Sequence, residues 1–292
     1  MAEVTSRWAR EAVQHVASRS EGGELDRSLR VTFNFHPDRE VDGVPMLELL
    51  GRDGVYRNQF ETGTSNGGLT AYRGGARWLW ERRIFGGVYD EAPPAQRPKY
   101  GALNHRRRQE GGAARFGSAH LRLSGDALER TTFCFPDSVL EPASFGTAFH
   151  LGLIELADAF SATERTEAEE AEFGGRLDDY IEAHVHGVID LSRDVEALVL
   201  DPCYQGTAVE AMADRLPVPV EWHRGFRLTV DELRRHQDFR GSRIVSLGHM
   251  ISQDGWLDAK IIGEALHLPG ADPQDLKKVW HYVVRFGGPA RR

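Results

Sequence analysis

Two groups of short segments with alternating apolar and polar residues constrain the fold of this chain more than any other feature of its sequence. A period of two is typical of a half-buried β-strand. The first group lies within residues 29–135 and the second within residues 180–229. A helical segment at 145–160 separates them, and helical periodicity returns from Val230 onward. This order predicts an α+β fold and argues against the regular βαβ alternation of a doubly wound sheet.

The individual elements follow from local periodicity and from the turn residues between them. The predicted strands cover residues 29–35, 100–104, 119–123, 130–135, 180–186, 195–200 and 218–229. The predicted helices cover residues 8–16, 46–50, 76–84, 145–160 and 207–216, with further helices after residue 230. A turn at 124–126 is expected to join two of the strands. The chain is accordingly divided into an N-terminal helix (1–28), a core (29–230) and a C-terminal helical segment (231–292).

Composition excludes several classes of protein. The chain has 292 residues, of which 40% are hydrophobic and 27% charged, so it can bury a substantial core and is not expected to be disordered. Its net charge of -8 argues against general nucleic-acid binding, although a local basic pocket for a phosphate remains compatible with it. No apolar run approaches the roughly 18 residues that a membrane span needs. We therefore expect no membrane association.

The N-terminal residues and the two cysteines indicate the compartment. Residues 1–20 include Arg7, Glu11 and His15 and contain no apolar core, so they do not resemble a signal peptide. Cys134 and Cys203 each lie in or after an apolar run and are predicted to be buried free thiols. A cytoplasmic protein is expected, with secretion by a route that needs no cleaved signal left open.

The segment at 180–186 carries the sharpest chemical signal. Residues two apart on a strand share a face, so Glu182, His184 and His186 should project together. Three apolar residues alternate with them and are expected to face a core: Ile181, Ala183 and Val185. Three titratable groups on one strand face are unusual for a merely solvated surface.

Three interpretations of this titratable face remain open. It could be an exposed strand without a special role. It could be a metal site with two histidine ligands and one carboxylate, for which His36 with Asp38 is the further ligand candidate in the sequence. Alternatively, the Glu182 carboxylate is itself catalytic, and the histidines bind substrate or are incidental.

A second candidate site lies where the first predicted strand ends. Pro37 stops the strand, so His36, Asp38 and Arg39 are expected at a sheet edge. An arginine can bind a phosphate through two parallel hydrogen bonds, and a histidine can hydrogen-bond a ribose hydroxyl. The alternative is an ordinary surface turn.

Glycine-rich and aromatic segments supply further ligand-contact candidates. Residues 59–68 combine hydroxyl groups with glycines that permit close approach of a ligand to the backbone. Two predicted strands open with an aromatic residue beside glycine, which suits a ring stacked on a planar ligand but equally suits core packing. The candidates in these segments are Phe60, Thr64, Ser65, Asn66, Tyr100, Gly101 and Ser118. Neither a G-x-G-x-x-G nor a Walker loop is present.

Taken in order, these segments resemble the ADP-ribosyltransferase superfamily of toxins and bacterial effectors. Residues 181–202 look like the strand that carries the catalytic glutamate, followed by a turn and the next strand. Residues 115–138 look like a central hairpin, and residues 29–39 are similar to the first strand, which supplies an arginine or histidine that holds NAD. The arrangement also resembles an uncharacterised bacterial family marked by HPDR, TGTSNGG and KYGALN blocks.

This resemblance implies a two-sheet β core over residues 29–230 and a mono-ADP-ribosyltransferase activity with NAD as co-substrate. Glu182 would stabilise the ribose cation and Ser118 would support it, while His36 and Arg39 would anchor the diphosphate or the adenosine ribose. Nicotinamide would stack on aromatic residues, and the remaining candidates would line the NAD site: Phe60, Thr64, Ser65, Asn66, Tyr100, Gly101 and His184. Tyr180 stands where many arginine-modifying members carry an acidic residue, which argues against arginine as the acceptor. The acceptor could be a protein, a nucleic acid or a small molecule.

Two other functions are carried beside this one. A metal-dependent enzyme would use Glu182, His184 and His186. A non-catalytic interaction protein would use the C-terminal helices, where Trp280, Tyr282 and Phe286 could form a partner surface. Helical spacing of these aromatic residues favours a place in the core instead. The sequence does not indicate an oligomeric state.

Overall fold

The computed structural model describes residues 6–63, 70–170 and 175–289 of the chain. Its helices are α1 (Arg7–Ala17), α2 (Met46–Asp53), α3 (Gln59–Thr62), α4 (Ala76–Ile84), α5 (Leu153–Ala162), α6 (Leu191–Asp194), α7 (Ala208–Ala213), α8 (Val230–Arg235), α9 (Ser242–Ile251), α10 (Ala259–Glu264) and α11 (Pro273–Phe286). Its strands are β1 (Val31–Phe35), β2 (Glu40–Val41), β3 (Val44–Pro45), β4 (Val55–Tyr56), β5 (Lys99–Leu103), β6 (Ala119–Leu123), β7 (Thr131–Phe135), β8 (Ser144–Thr147), β9 (Ile181–Val185), β10 (Ile189–Asp190), β11 (Val195–Leu200), β12 (Val220–Trp222), β13 (Leu228–Thr229) and β14 (Trp256–Leu257).

Eight of these strands form one mixed sheet in the order β12-β11-β6-β1-β5-β9-β7-β8. Every neighbouring pair is antiparallel except β11 and β12, which run parallel. Helices pack around this sheet, so the predicted α+β class is confirmed. The two strand groups expected from the sequence do not form separate sheets among the described residues. They interleave instead, because β9 of the second group inserts between β5 and β7 of the first.

The predicted central hairpin is wrong. Strands β6 and β7 are consecutive in sequence, yet β6 pairs with β1 and β11, whereas β7 pairs with β9 and β8. The connection between them is a 3-10 helix at Gly125–Arg130, in which Ala127 and Leu128 are buried. The guanidinium of Arg130 lies 2.9 Å from the Asp194 carboxylate, which holds the connection against a later part of the chain. A buried connection of this kind carries the chain across the sheet and does not reverse it.

Two other predicted elements differ from the structure. Residues 145–160 are not one helix, because β8 pairs with β7 before α5 begins at Leu153. Residues 218–229 are not one strand, because the extended conformation is interrupted between β12 and β13. Gly225 in this interruption has a φ of 75°, a conformation that is strained for residues with a side chain. Strands β9 and β11 are also not neighbours, since β5, β1 and β6 lie between them. Apolar spacing alone does not separate these short elements.

Both faces of the sheet are covered. On one face, the alternate residues Val31, Phe33 and Phe35 of β1 belong to the main core, which also contains residues of α11. On the other face, Phe85 and Tyr89, which follow α4, pack in a smaller cluster with residues of α1 and β7. Burying each large apolar side chain contributes about 1.5–3 kcal/mol. The titratable face of β9 is therefore turned toward a covered interior.

The C-terminal aromatic residues are part of the main core. Trp280 and Tyr282 are fully buried, and the indole nitrogen of Trp280 donates a hydrogen bond to the Ala114 carbonyl at 2.8 Å. Phe286 is partly buried, and its ring stacks on His236 with 3.7 Å between centroids. The proposed partner surface is thus wrong for Trp280 and Tyr282. No helix within the described residues has both the length and the apolar content needed to cross a membrane.

Candidate functional site

The titratable face of β9 is buried. Glu182 is 6% exposed, whereas His184 and His186 are fully enclosed. The predicted apolar face packs into the main core, as expected from the alternation; its members are Ile181, Ala183 and Val185. The interpretation of this segment as an exposed strand is therefore wrong.

The strand register decides which residues surround Glu182 and His184. Glu182 is paired with Ala102 of β5 and with Cys134 of β7. His184 is likewise paired with Tyr100 of β5 and with Thr132 of β7. Paired residues of neighbouring strands project to the same side of a sheet. Three strands thus deliver their side chains to one small region.

Both oxygens of the Glu182 carboxylate accept hydrogen bonds. Oε1 lies 2.8 Å from Nε2 of His184, and the Cys134 thiol approaches the same oxygen at 3.9 Å. Oε2 accepts from Ser138, whose hydroxyl and backbone nitrogen lie at 3.2 and 3.4 Å. Burial alone would raise the pKa of Glu182, but the hydrogen bond and charge of His184, the charge of Arg77 and Ser138 together hold it below the ordinary value. Glu182 is ionised at neutral pH.

A second carboxyl group, the partly buried Asp137, lies beside the first, and its pKa shifts in the opposite direction. Its side chain accepts a hydrogen bond from the Tyr180 hydroxyl and another from the Val139 backbone nitrogen at 2.6 Å. Burial and the neighbouring charge of Glu182 raise the pKa of Asp137 above its ordinary value. Two adjacent carboxyl groups with opposite pKa shifts are the arrangement from which acid–base roles can be divided.

His186 is held by protein groups on both ring nitrogens. Nδ1 lies 2.7 Å from the Tyr89 hydroxyl, and Nε2 lies 3.0 Å from Oγ1 of Thr132. The predicted metal site of Glu182, His184 and His186 is therefore not assembled. Among the described residues, the group with ligand spacing is Cys134, Glu182 and His184, whose candidate ligand atoms all lie within 4.8 Å of one another.

Tyr100 and Arg77 form a stack beside His184. The guanidinium carbon of Arg77 lies 4.1 Å above the centre of the Tyr100 ring, and this ring meets the His184 ring edge-on at 5.2 Å. The Tyr100 hydroxyl donates to Glu81 at 3.2 Å. The buried Nε and Nη1 of Arg77 have no hydrogen-bond partner in the part of the chain that the structure describes. The guanidinium thus keeps donors that an anionic or carbonyl ligand could use.

Gly101, a predicted ligand contact, is required by packing. A Cβ atom at this position would lie 2.3 Å from Cδ1 of Phe33 and 2.6 Å from the Thr32 carbonyl oxygen. Both atoms belong to the adjacent strand β1, in which Phe33 is buried. Packing against β1 therefore explains why glycine is needed at position 101, without any contact to a ligand.

Phe60 lies near the same group of residues, one step further from Glu182. Its ring is 4.3 Å from the guanidinium carbon of Arg97, and Arg97 forms a buried ion pair with Glu81. Phe60 is thus connected to Tyr100 by a chain of contacts, because Glu81 also accepts the hydrogen bond of the Tyr100 hydroxyl. The predicted contacts Thr64, Ser65 and Asn66 lie outside the described residues.

Ser118 does not contact Glu182. Its hydroxyl lies 3.4 Å from the Tyr204 hydroxyl, and its carbonyl oxygen lies 2.8 Å from Nε2 of His223. The serine that supports the carboxylate is Ser138, in the 3-10 helix Ser138–Leu140 after β7. The Phe-Pro-Asp-Ser sequence before this helix carries an N-cap signal, but nothing in it indicates that β7 will pair with β9.

His36 and Arg39 are not among the hydrogen-bond partners of Glu182. His36 is buried, its ring lies 5.2 Å from the Trp280 ring, and burial with the charges of Arg39 and Lys277 lowers its pKa to about 3. Lys277 also acts electrostatically on Asp137, which neighbours Glu182. The end of β1 is therefore connected to the carboxylates through Lys277.

The fold and the site together define an α+β protein with a buried, ionised carboxylate that a histidine and a serine orient at the centre of a mixed sheet. A family model matches residues 30–158 and 151–286 of this chain. The chain belongs to this family, DUF3626, whose description is "Protein of unknown function". No curated protein matches the sequence.

Proposed function

We propose that the protein is an NAD-dependent mono-ADP-ribosyltransferase, which cleaves the bond between nicotinamide and ribose and transfers ADP-ribose to an acceptor. The observation that carries this proposal is the Glu182 carboxylate, which is ionised, nearly buried and oriented through both oxygens. The proposed likeness of residues 29–230 to an ADP-ribosyltransferase core rests on the sequence resemblance, because the structure has one large mixed sheet where the resemblance implies two sheets.

The chemistry of this bond calls for such a carboxylate. When the C1′–N bond breaks, its electron pair moves to the nicotinamide nitrogen, and the ribose acquires oxocarbenium character as in glycoside hydrolysis. A fixed negative charge stabilises that cation most effectively where water is excluded. His184 and Ser138 hold the Glu182 oxygens before the charge develops, so little reorganisation is needed.

The acceptor completes the reaction by attacking C1′ and losing a proton. Asp137 lies beside Glu182 and has a raised pKa, so it is the proposed group to receive this proton after ionising. With water as the acceptor, the same steps give NAD hydrolysis as a side activity.

The remaining residues receive roles by their position. Tyr100 and Phe60 stay proposed stacking partners of nicotinamide, and Arg77 is added because its donors face the same region. His36 and Arg39 stay proposed contacts of the diphosphate or the adenosine ribose. A single dinucleotide would have to extend from Glu182 past Asp137 to reach His36.

The direct test is release of nicotinamide from NAD by the wild type and by Glu182→Gln, which keeps the side-chain shape and removes the charge. We expect a loss of about 10²–10³-fold in rate. Glu196→Gln on β11 is the control, because Glu196 pairs with Arg30 and lies away from β9. Absence of both nicotinamide release and an NAD-induced thermal shift in the wild type would falsify the proposal.

A second candidate function is favoured by the Cys134–Glu182–His184 group. Thiolate, carboxylate and imidazole are all zinc ligands, and three protein ligands leave a position for a reactive water. Burial, with the charge of Glu182, raises the pKa of the Cys134 thiol well above its ordinary value, so binding would require a metal to displace this proton. Stoichiometric metal in the purified protein, lost in Cys134→Ser, would favour this candidate over NAD cleavage.

A further inference from the structure

Helix α11 presents two basic side chains one turn apart beside the carboxylate site. Lys277 and His281 are four positions apart, so they lie on the same face of the helix. Two backbone anchors bring other parts of the chain to this helix. Trp280 bonds to the Ala114 carbonyl at 2.8 Å, and the Arg240 backbone nitrogen donates to the Tyr282 hydroxyl at 3.0 Å.

These anchors bring two arginines within electrostatic range of Lys277 and His281. Arg115 belongs to the 3-10 helix Ala114–Phe116, directly after the residue that Trp280 bonds, and Arg240 lies in the connection between α8 and α9. Both guanidinium groups act electrostatically on Lys277 and on His281. We call Arg115, Arg240, Lys277 and His281 the α11 basic cluster. Its members come from three separate parts of the chain.

His281 is the member of this cluster that the protein fold does not explain. Its side chain is 4% exposed, and neither Nδ1 nor Nε2 has a hydrogen-bond partner within residues 6–63, 70–170 and 175–289. A buried polar group without a partner costs about 1–3 kcal/mol. An imidazole enclosed among cationic groups would gain most from an acceptor atom that is not part of the described chain.

Burial and mutual repulsion disfavour the charged forms of three members of the cluster. Burial and the charges of Arg115 and Arg240 lower the pKa of Lys277 to about 8, and burial and Arg115 lower that of Arg240 to about 10. Burial with the charges of Arg115, Arg240, Lys277 and His36 lowers the pKa of His281 well below its ordinary value. Asp178 pairs with Arg115. The charges of Asp137 and Glu170 oppose the pKa shifts of Lys277 and Arg240 without cancelling them. An anion placed here would reverse these shifts.

We propose that the α11 basic cluster is a binding site for a phosphoryl group. Two guanidinium groups, an ammonium and an imidazole converge, and phosphate oxygens accept hydrogen bonds from all three kinds of donor. Lys277 and Arg240 are partly buried, so the site opens at these residues and closes at His281. This chemistry fits a dianionic or diphosphate group better than a single carboxylate.

Electrostatic interactions with Asp137 link this site to the proposed catalytic carboxylate. Arg115 and Lys277 both act on Asp137, and Asp137 is adjacent to Glu182. The identity of the phosphoryl group as part of the reactants rests on the proposed function. It is then either the diphosphate of the dinucleotide, with ribose at Glu182, or a phosphate carried by the acceptor. In both cases the C-terminal helical segment contributes directly to substrate binding.

Binding of pyrophosphate and of ADP to the full chain, measured by titration calorimetry, tests the site without requiring catalysis. We expect Lys277→Met to weaken the affinity at least tenfold, or about 1.4 kcal/mol. Lys278→Met is the matched control, since Lys278 is the next residue of the same helix and is exposed. Equal affinity in wild type and Lys277→Met, or no binding to the wild type at millimolar concentration, overturns the inference.

A second measurement keeps the test valid if Lys277→Met fails to fold. The ring nitrogens of His281 in the wild type can be followed by nitrogen NMR, with His281→Asn used to assign the signals. Pyrophosphate should shift these signals and raise the pKa of His281 toward its ordinary value, because an anion favours the charged imidazolium. Signals that do not respond to saturating pyrophosphate contradict the inference.

Competition identifies the source of the phosphoryl group and separates this inference from the proposed function. If pyrophosphate competes with NAD, the site takes the dinucleotide; if it binds together with NAD, the site takes the acceptor's phosphate. Glu182→Gln should keep its affinity for pyrophosphate. If the wild type binds pyrophosphate but does not cleave NAD, the α11 basic cluster is supported as a phosphoryl site and the proposed transferase activity is refuted.

Discussion

Nε2 of His184 lies 2.8 Å from Oε1 of Glu182, although the two residues are only two positions apart on β9. On an extended strand this spacing puts both side chains on one face, and the neighbouring strands then enclose the pair. Because Ser138 occupies the other carboxylate oxygen, the charge of Glu182 is fixed in position as well as stabilised.

Ser138 should act as a positioning residue for Glu182. In Ser138→Ala the carboxylate loses a hydroxyl donor, and a hydrogen bond to a charged group is worth about 1.5–3 kcal/mol. We expect the rate of nicotinamide release to fall roughly tenfold or more, and the acidic limb of its pH profile to move to higher pH as the pKa of Glu182 rises. Ser118→Ala is the control, since Ser118 contacts Tyr204. A shift in Ser118→Ala alone would restore the assignment made from the sequence.

Arg77 should act on Glu182 through its charge and on Tyr100 through stacking. Arg77→Gln removes the positive charge that helps to keep the pKa of Glu182 low. The acidic limb of the pH profile should therefore move to higher pH. Arg77→Lys keeps the positive charge but loses the planar group that stacks on Tyr100. The acidic limb should therefore stay at the pH of the wild type, while KM for NAD increases. Steady-state kinetics across pH distinguish the two effects. Identical profiles in all three proteins would show that Arg77 does not act on the carboxylate.

Gly101→Ala should destabilise the fold before it affects any ligand. The added Cβ would meet the buried Phe33 ring and the Thr32 carbonyl, and overpacking of this kind typically costs about 1–3 kcal/mol. Thermal denaturation should show a melting temperature lowered by several degrees. Gly23→Ala is the control, because a Cβ there meets nothing within 4 Å. Unchanged stability combined with lost NAD binding would instead support Gly101 as a ligand contact.

Acid should destabilise the protein through its buried neutral histidines. Burial, with the charges of His223 and Arg122, lowers the pKa of His120 to about 3 from its ordinary value near 6.5. As the pH falls from 6.5 toward 3, the His120 imidazole binds a proton in the unfolded chain but stays neutral in the folded chain. The free energy of unfolding therefore decreases by about 1.4 kcal/mol per pH unit for this residue.

Denaturant unfolding between pH 7 and pH 4 checks this expectation. His120→Asn should flatten the pH dependence of the free energy of unfolding, because the variant has no proton to take up at this position. His249→Asn, at an exposed position on α9, serves as the comparison. A slope in His120→Asn equal to that of the wild type would mean that His120 is already charged in the folded state.

Local periodicity determined several elements with correct bounds. Strands Ala119–Leu123 and Val195–Leu200 and helix Ala76–Ile84 lie where the sequence predicts them. The sequence also predicted that Glu182, His184 and His186 share one face, because the direction of a side chain on a strand alternates from one residue to the next. Such properties are set by residues within a few positions of one another.

Only the tertiary structure decided the order of the strands and the partners of the site. The choice of Ser138 over Ser118 required β7 to pair with β9, about 50 residues further along the chain. The approach of Lys277 to Asp137 required α11 to pack against the sheet through Trp280. These contacts arise from the burial of apolar surface between distant segments. A pattern of period two or 3.6 specifies which face is buried but not which segment will cover it.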